Sequence, residues 1–389
     1  MFSARGRANK ELKGRLTMKK KLAFVLVTLL VLSIAFTGCA PKATSGTPTP
    51  VPTKATEPIK VGFIYVGPIG DGGYTFAHDQ GRLMVDKEFG AKVKTIYKES
   101  VPESAEAEKV IKDMIDQGAK MIFATSFGHM DFVEKVAKEF PDVKFFHCSG
   151  YKSNTTNFVN YFAAMEEPRY ISGIVAGMKS KDGKIGYVAA YEIPEVVRGI
   201  NAFTLGAQSV NPKATVEVKW THTWYDPAKE KEAAKALLDQ GIDVIAQHQD
   251  TAGPIQAAEE AGKFAIGYNT DMKDKGPNSF MTAPMFNWGP YYVSQVKAVL
   301  DGTWKPVNYY GHMSDNVVLL APLTKNAPAG AQAKVDEMTK KIIDGTYKVF
   351  TGPIKDQTGK VVVPAGETLT LDKQLSIDWF VQGVKGKVK

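Results

Sequence analysis

The sequence predicts an α/β protein whose folded part is two lobes, each a parallel sheet covered on both faces by helices. Two observations lead there. Short apolar runs alternate with helix-length, breaker-poor segments from residue 60 to residue 300. Strands spaced by helices build parallel sheets, whose buried strands read as continuous apolar runs. About 330 residues follow a proline-rich stretch that ends near Pro58, which is more than one ordinary core organises.

The elements are read in order. KVGFIYV (60–66) is an apolar run stopped by Gly67-Pro68, hence a buried strand. A helix follows at 75–89, a strand near 92–97, a helix at 103–118, a strand at 120–125, a helix at 130–139 and a strand at 143–147. The cycle resumes with a strand at 158–163, a helix at 168–179, a strand at 184–190, a helix at 194–209 and a strand at 215–220. A helix at 227–239 opens at Asp226-Pro227, an N-cap residue followed by proline at the first helical position. A strand at 242–247, a helix at 254–262, a strand at 264–268, a strand near 279–284 and a helix at 290–300 complete the series.

The N-terminal segment is of another kind. From Met18 the chain reads MKKKLAFVLVTLLVLSIAFTGCA. Three lysines, an uncharged apolar stretch and small residues make a secretion signal. A cysteine directly after them, Cys39, is the residue a bacterial lipoprotein signal would acylate, although Phe36 stands where leucine is usual. An ordinary signal or a single spanning helix is the competing interpretation, because the stretch is near the minimum span length. Residues 39–58 are Pro-, Thr-, Ser- and Ala-rich, cannot build a core, and are expected to tether the folded part to a membrane. Residues 1–17 fit no signal and are expected to be an over-extended gene start.

This division changes the meaning of the charge. The formal net charge is +8, which suggests nucleic acid or a membrane surface. Residues 1–21 hold eight Lys or Arg and one acid, and residues 22–38 hold no charge. Removing them leaves 41 basic and 40 acidic residues from Cys39 onward, so a nucleic-acid partner is not expected. With Cys39 acylated, Cys148 is alone and forms no intramolecular disulfide; its run KFFHCS reads as core.

Ligands of such sheets bind at the carboxyl ends of the strands. The exits considered are 67–78, 126–129, 149–151, 161–165, 220–226, 247–251 and 268–271. They are rich in aromatics, among them Tyr74, Phe127, Tyr161, Trp224 and Tyr268, with Trp288 before the last helix of the series. Hydrogen-bonding residues lie between them, including Thr75, His78, His248, Asp250 and Asn269. Flat apolar faces with a few directional polar groups suit a planar heterocycle or a sugar; the plainer alternative for each aromatic is core or hinge packing. Catalysis is not supported. GPIGDGG (67–73) is neither GxGxxG nor a P-loop, no histidine pair has zinc spacing, and Ser126 in TSFGH is not GxSxG. No enzyme activity, metal or cofactor is expected.

Segment 60–389 resembles the basic membrane protein family of ABC-transporter substrate-binding lipoproteins, the purine-nucleoside-receptor-like group. The stretches that carry the resemblance are KVGFIYVGPIGDGGYTFAHDQG (60–81), FAAMEEPRYISGIVAG (162–177), HTWYDPAKEKEAAKALLDQGIDVIAQH (222–248), GYNTDM (267–272) and the tail FTGPIKDQTGKVVVPAGETL with SIDWFVQGVKG (350–369 and 376–386). It implies a type I periplasmic-binding fold, two Rossmann-like lobes joined by a three-segment hinge and closing on a ligand. Lobe 1 is then 59–164 with about 286–322, and lobe 2 is 165–285 with about 323–389. It also implies an ABC permease and ATPase as partners and a lipid anchor on the extracytoplasmic face of the cell membrane.

Departures from the family pattern shape the ligand expectation. Asn269 stands where a sugar-holding acid is usual, the neutral run 285–288 where a lysine is usual, and Thr75 with His78 where the first loop carries asparagine. Stacking groups are kept, and Trp224 takes the place of the base-stacking aromatic. Asp250 replaces a glycine and offers an acceptor for an exocyclic amine. The expected ligand is therefore a free purine base such as adenine, preferred over its nucleoside. The expected ligand-binding residues are Tyr74, Thr75, His78, Phe127, Tyr161, Trp224, Asp250, Asn269 and Trp288. Packing under a helix for Trp224 and helix capping for Asp250 are the structural alternatives. A surface signal receptor, or a sugar or quorum-signal binder on the same fold, is the alternative function.

Overall fold

The structure, a computed structural model, describes residues 57–388. The expected signal, acylation at Cys39 and most of the tether lie outside these residues. β1 (Ile59–Ile64), α1 (Tyr74–Phe89), β2 (Val93–Lys98), α2 (Ala105–Asp116), β3 (Ala119–Ala124), α3 (Met130–Glu139), β4 (Lys144–Cys148) and β5 (Phe158–Ala163) form the first series. α4 (Glu166–Lys179), β6 (Lys184–Ala189), α5 (Pro194–Val210), β7 (Thr215–Trp220), α6 (Pro227–Leu238), β8 (Val244–His248), α7 (Gly253–Glu260), β9 (Phe264–Ile266) and β10 (Phe280–Thr282) form the second.

Each series makes one sheet with the same strand order. The first runs β2-β1-β3-β4-β5 and the second β7-β6-β8-β9-β10, with all pairings parallel. The order reverses between β1 and β3 in one sheet and between β6 and β8 in the other, and each reversal opens a crevice at the strand ends. The apolar runs are buried as expected: Val61, Phe63 and Ile64 are fully covered. Phe63, Phe123 and Phe146 stack across β1, β3 and β4 at 4.9 and 4.4 Å between centroids. Each such buried ring contributes about 1.5–3 kcal/mol of transfer energy.

The chain then passes between the sheets. The single strand expected near 279–284 is two strands: β10 ends at Thr282, and β11 (Pro284–Phe286) leaves the sheet to pair antiparallel with β13 (Val318–Leu320). Pro284 has no N–H to donate, so the ladder is interrupted there. Between these strands, α8 (Gly289–Leu300) packs on α1, and β12 (Tyr309–Gly311) joins the open edge of β5 in the first sheet. After β13, α9 (Ala331–Ile343) packs on α4. A hairpin of β14 (Ile354–Lys355) and β15 (Val361–Val363), a short α10 (Leu371–Leu375) and β16 (Val384–Lys385) follow, and β16 pairs with β7. The chain thus crosses between the sheets three times: after β5, at β11 and after β12.

Candidate functional site

The two crevices face one another, and the strand ends that flank them line a small cleft of about 320 Å³, counting its open mouth. The first lobe contributes Val66, Tyr74, Ser126, Phe127 and Ser149. The second contributes Glu195, Trp224, His248, Asp250 and Tyr268.

In the first lobe, the loop after β1 makes a turn in which buried Asp71 accepts from the backbone N–H groups of Gly73, Thr75 and Phe76 at 2.7, 2.9 and 3.0 Å. Those bonds hold the start of α1, so that Tyr74, its first residue, faces the cavity. The Tyr74 hydroxyl reaches the Cys148 Sγ at 3.5 Å. Burial raises Asp71 to about 6 in spite of its three donors. At the end of β3, Ser126 Oγ donates to Glu103 at 2.6 Å and the Gly128 N–H donates to the same carboxylate at 2.7 Å.

In the second lobe, Asp226 caps α6 as the sequence implies, accepting from the Lys229 N–H at 3.0 Å. Trp224 lies on the loop before it, packed on Tyr191 with centroids 5.1 Å apart. Asp250 does not cap α7; Thr251 Oγ1 accepts from the Gly253 N–H at 3.0 Å instead. Tyr268 is backed by the buried Arg169 guanidinium, 3.7 Å from its ring centroid. Arg169 Nη1 donates to the Gln247 carbonyl at 2.7 Å.

The lobes touch across the cavity, so this is a closed form. Trp224 Nε1 donates to Glu103 at 3.3 Å, Thr270 Oγ1 donates to the Gly72 carbonyl, and Ser149 Oγ donates to Glu195. Gly73 lies so near Asp250 that a Cβ there would stand 2.1 Å from the Asp250 carbonyl oxygen.

The wall carries no lysine or arginine. Glu195 would be raised by burial, but contacts with His248, whose Nε2 is 3.6 Å away, and with Ser149 bring it below its ordinary value, and it is ionised. Burial pushes His248 down to about 4, so its ring is neutral. Asp250 is raised well above the carboxylate range, first by burial and then by Asp71, Glu230 and Glu195. Its protonated form, which burial favours, presents one donor and one acceptor. Asp250 Oδ2, His248 Nδ1 and the Tyr268 hydroxyl are buried and meet no protein partner. Such groups call for a hydrogen-bonding ligand.

Of the nine expected ligand residues, Tyr74, Phe127, Trp224 and Asp250 are on the wall. Five stand behind it. Trp288 is fully buried and stacks on His78 at 5.1 Å and on Phe286 at 4.9 Å. His78 Nδ1 and the Tyr161 hydroxyl both meet the Tyr292 hydroxyl, at 2.6 and 2.8 Å. Thr75 is buried under the β1 loop. Asn269, at φ 70°, points Nδ2 toward Asp250 Oδ1 at 3.5 Å. The sequence reading misses Glu195, because it omits the exit after β6; the two-fold repetition of strand order is the signal that would have supplied it. Among the described residues there is no group of His, Cys, Asp or Glu able to hold a metal ion, and no helix is long and apolar enough to cross a membrane.

Comparison with known proteins gives results of three kinds. The family model for PnrA-like ABC transporter substrate-binding proteins matches residues 59–349. The chain is 47% identical over 334 residues to a purine-binding protein of Brucella abortus, covering 86% of this chain and 95% of that one. It is 36% identical over 332 residues to a putative ABC transporter glucose-binding protein of Haloferax volcanii, covering 85% and 82%. Among solved structures, a solute-binding protein of an ABC transporter system from Aeropyrum pernix K1 superposes with a TM-score of 0.66 at 21% identity, covering 82% of this chain and 95% of that one. One from Conexibacter woesei gives 0.61 at 22%, covering 75% and 98%. At these identities the superpositions establish the type I periplasmic-binding fold.

Proposed function

This chain belongs to the PnrA-like family of ABC transporter substrate-binding proteins, and from that premise we propose that it captures a free purine base, adenine foremost, between its lobes and presents it to an importer. The family's members bind solute outside the cytoplasm and are not enzymes. An ABC permease and ATPase are the expected partners, and a lipid on Cys39 the expected anchor.

The observation that carries the ligand reading is the combination of aromatic walls from both lobes with one buried, unpartnered carboxyl oxygen, on Asp250, and no cation. Tyr74 and Phe127 come from one lobe and Trp224 and Tyr268 from the other. A base between them gains on the order of 1–3 kcal/mol per stack. The absence of a cation disfavours phosphorylated ligands. Protonated Asp250 accepts from an exocyclic amine and donates to the neighbouring ring nitrogen. Adenine offers that donor–acceptor pair on either side of its amine. Hypoxanthine, with a carbonyl there, offers it on one side alone, and an unmatched buried polar group costs about 1–3 kcal/mol. The name of the Brucella relative supports a purine.

A ligand that touches both lobes stabilises the closed form and shifts the open–closed population toward it. The test is titration calorimetry against adenine, hypoxanthine, guanine, adenosine and glucose. Adenine is expected to bind most tightly. Glucose binding more tightly than every purine overturns the reading and favours the sugar alternative, which the Haloferax relative's name represents.

A further inference from the structure

One positive charge stands directly behind the wall. Arg169, in the first turn of α4, is fully buried, and its guanidinium carbon lies 3.7 Å from the centre of the Tyr268 ring, which lines the cavity. Nη1 makes its one hydrogen bond, to the Gln247 carbonyl at 2.7 Å, and Nε and Nη2 meet no protein partner. Arg198 on α5, also buried, differs: it pairs with the Glu166 carboxylate at 3.3 Å. A buried charge without a bonded counter-charge is costly, and its field is not cancelled at source. Gly199 borders both Arg169 Nε and His248 Nδ1, since a Cβ there would stand 3.6 and 3.5 Å from them. Two residues of the wall, Tyr268 and His248, thus lie next to this charge. Burial first, and the Arg169 charge after it, hold the His248 ring neutral.

The wall by itself has the makings of a cation trap. Tyr74, Phe127, Trp224 and Tyr268 surround the cavity together with ionised Glu195, and Glu103 accepts from Trp224 at the rim. Aromatic faces within about 6 Å of a cation attract it, and a carboxylate adds to the attraction. Arg169 opposes both. A ligand in contact with the Tyr268 ring, at its face or at its edge, stands about 7 Å from the guanidinium carbon, and at an effective dielectric constant of about 20 a unit charge there changes the binding of another by more than tenfold. Salt screens such buried charges little. Glu195 in the wall and Arg169 behind it offset one another.

We infer that Arg169 sets the charge class of the ligand: by offsetting the wall carboxylate from behind Tyr268, it makes an aromatic, acid-lined cavity select an uncharged heterocycle over an organic cation of the same shape. The inference rests on the cavity as the site of the proposed function and adds to it the residue that decides between neutral and cationic ligands. It holds for any orientation of the ligand that touches Tyr268.

The test titrates adenine, 1-methylquinolinium (a flat bicyclic cation) and 1-methylnaphthalene, its uncharged isostere, into wild-type protein, Arg169→Gln and Arg169→Lys. Arg169→Gln removes the charge and keeps an N–H donor, and Arg169→Lys keeps the charge. Wild-type protein is expected to bind the cation no more tightly than its isostere. Arg169→Gln is expected to shift the cation-to-isostere ratio of dissociation constants at least tenfold toward the cation, about 1.4 kcal/mol, and Arg169→Lys to stay within about threefold of wild type. A purely structural role for Arg169 would weaken all three ligands alike and leave the ratio unchanged. Folded Arg169→Gln that keeps the wild-type ratio, or binds no cation, refutes the inference, while adenine binding by the wild type leaves the purine reading standing. If Arg169→Gln does not fold, the wild-type ratio decides, and a preference for the cation of about tenfold or more refutes the inference. Wild-type protein that binds glucose and no purine overturns the purine reading, and the same ratio still decides the role of Arg169.

Discussion

Asp250 is the residue whose replacement most sharply separates the readings of this site. In the proposed complex its carboxyl keeps its proton and would make two hydrogen bonds to an aminopurine, one accepted and one donated. Truncation in Asp250→Ala removes both, and at about 1–3 kcal/mol each, with about 1.4 kcal/mol per tenfold, adenine affinity should fall about thirtyfold or more. Asparagine has nearly the same shape, one acceptor and one donor, and no titration. Asp250→Asn should therefore stay within about tenfold of wild type. The pH dependence follows from the raised pKa. Wild-type affinity should be flat at low pH and fall as pH rises through the native pKa, by up to about one decade per pH unit, because binding requires the proton. Asp250→Asn should show no such fall. Apo stability carries the same sign. The folded state holds the proton more tightly than the unfolded chain, so the contribution is fully present below the unfolded pKa and is lost as pH rises through the folded one. Calorimetric titration from about pH 5 to about pH 9 decides the matter. A wild-type affinity that rises with pH, or an asparagine variant as weak as the alanine one, would show that the ionised form is the binding form.

Three further outcomes are expected. Trp224→Ala should weaken adenine binding by about 1–3 kcal/mol and leave the apo melting temperature nearly unchanged, and adenine should alter the wild-type tryptophan fluorescence more than that of Trp224→Phe; a lower melting temperature with intact affinity would make Trp224 a packing residue. Burial raises Glu230 from 4.5 to about 7 while it accepts from Thr251 Oγ1 at 2.6 Å, so its contribution to stability is lost between about pH 4 and pH 7, by roughly 3 kcal/mol at most. Glu230→Gln should flatten that limb of a melting-temperature-versus-pH curve, and an unchanged slope would contradict it. Cys39→Ser should release the protein from the membrane fraction or leave an uncleaved precursor; wild-type protein in the medium with an unmodified N-terminus would refute acylation.

Much of the fold was legible because parallel strands buried on both faces must be apolar throughout, and runs such as 60–66 and 184–190 are. What escaped was short. β12 and β16 have three and two residues, and at that length neither periodicity nor composition separates a strand from a loop. The break at Pro284 was visible as a proline but not as a change of sheet. In the site, position along a strand showed which residues reach its end, but not which way each ring turns there. Tyr161 turns inward because Tyr291 and Tyr292 on α8 stack against and bond to it, and Trp288 because it stacks on His78, contacts made between segments more than a hundred residues apart. Glu195 was missed for a different reason: the exit after β6 was passed over, and an acid just after proline at a helix start reads as ordinary helix chemistry.

The nearness of Gly73 to the Asp250 carbonyl gives the molecule a pinch point that can be wedged. An added methyl there has nowhere to go while the lobes are shut, and free space once they part. Gly73→Ala would therefore act as a doorstop that penalises one conformer and spares the other. A protein propped ajar in this way would separate two quantities that the native receptor fuses: how well one half grips a ligand, and how much the act of shutting adds. Scattering in solution would report the wider shape directly.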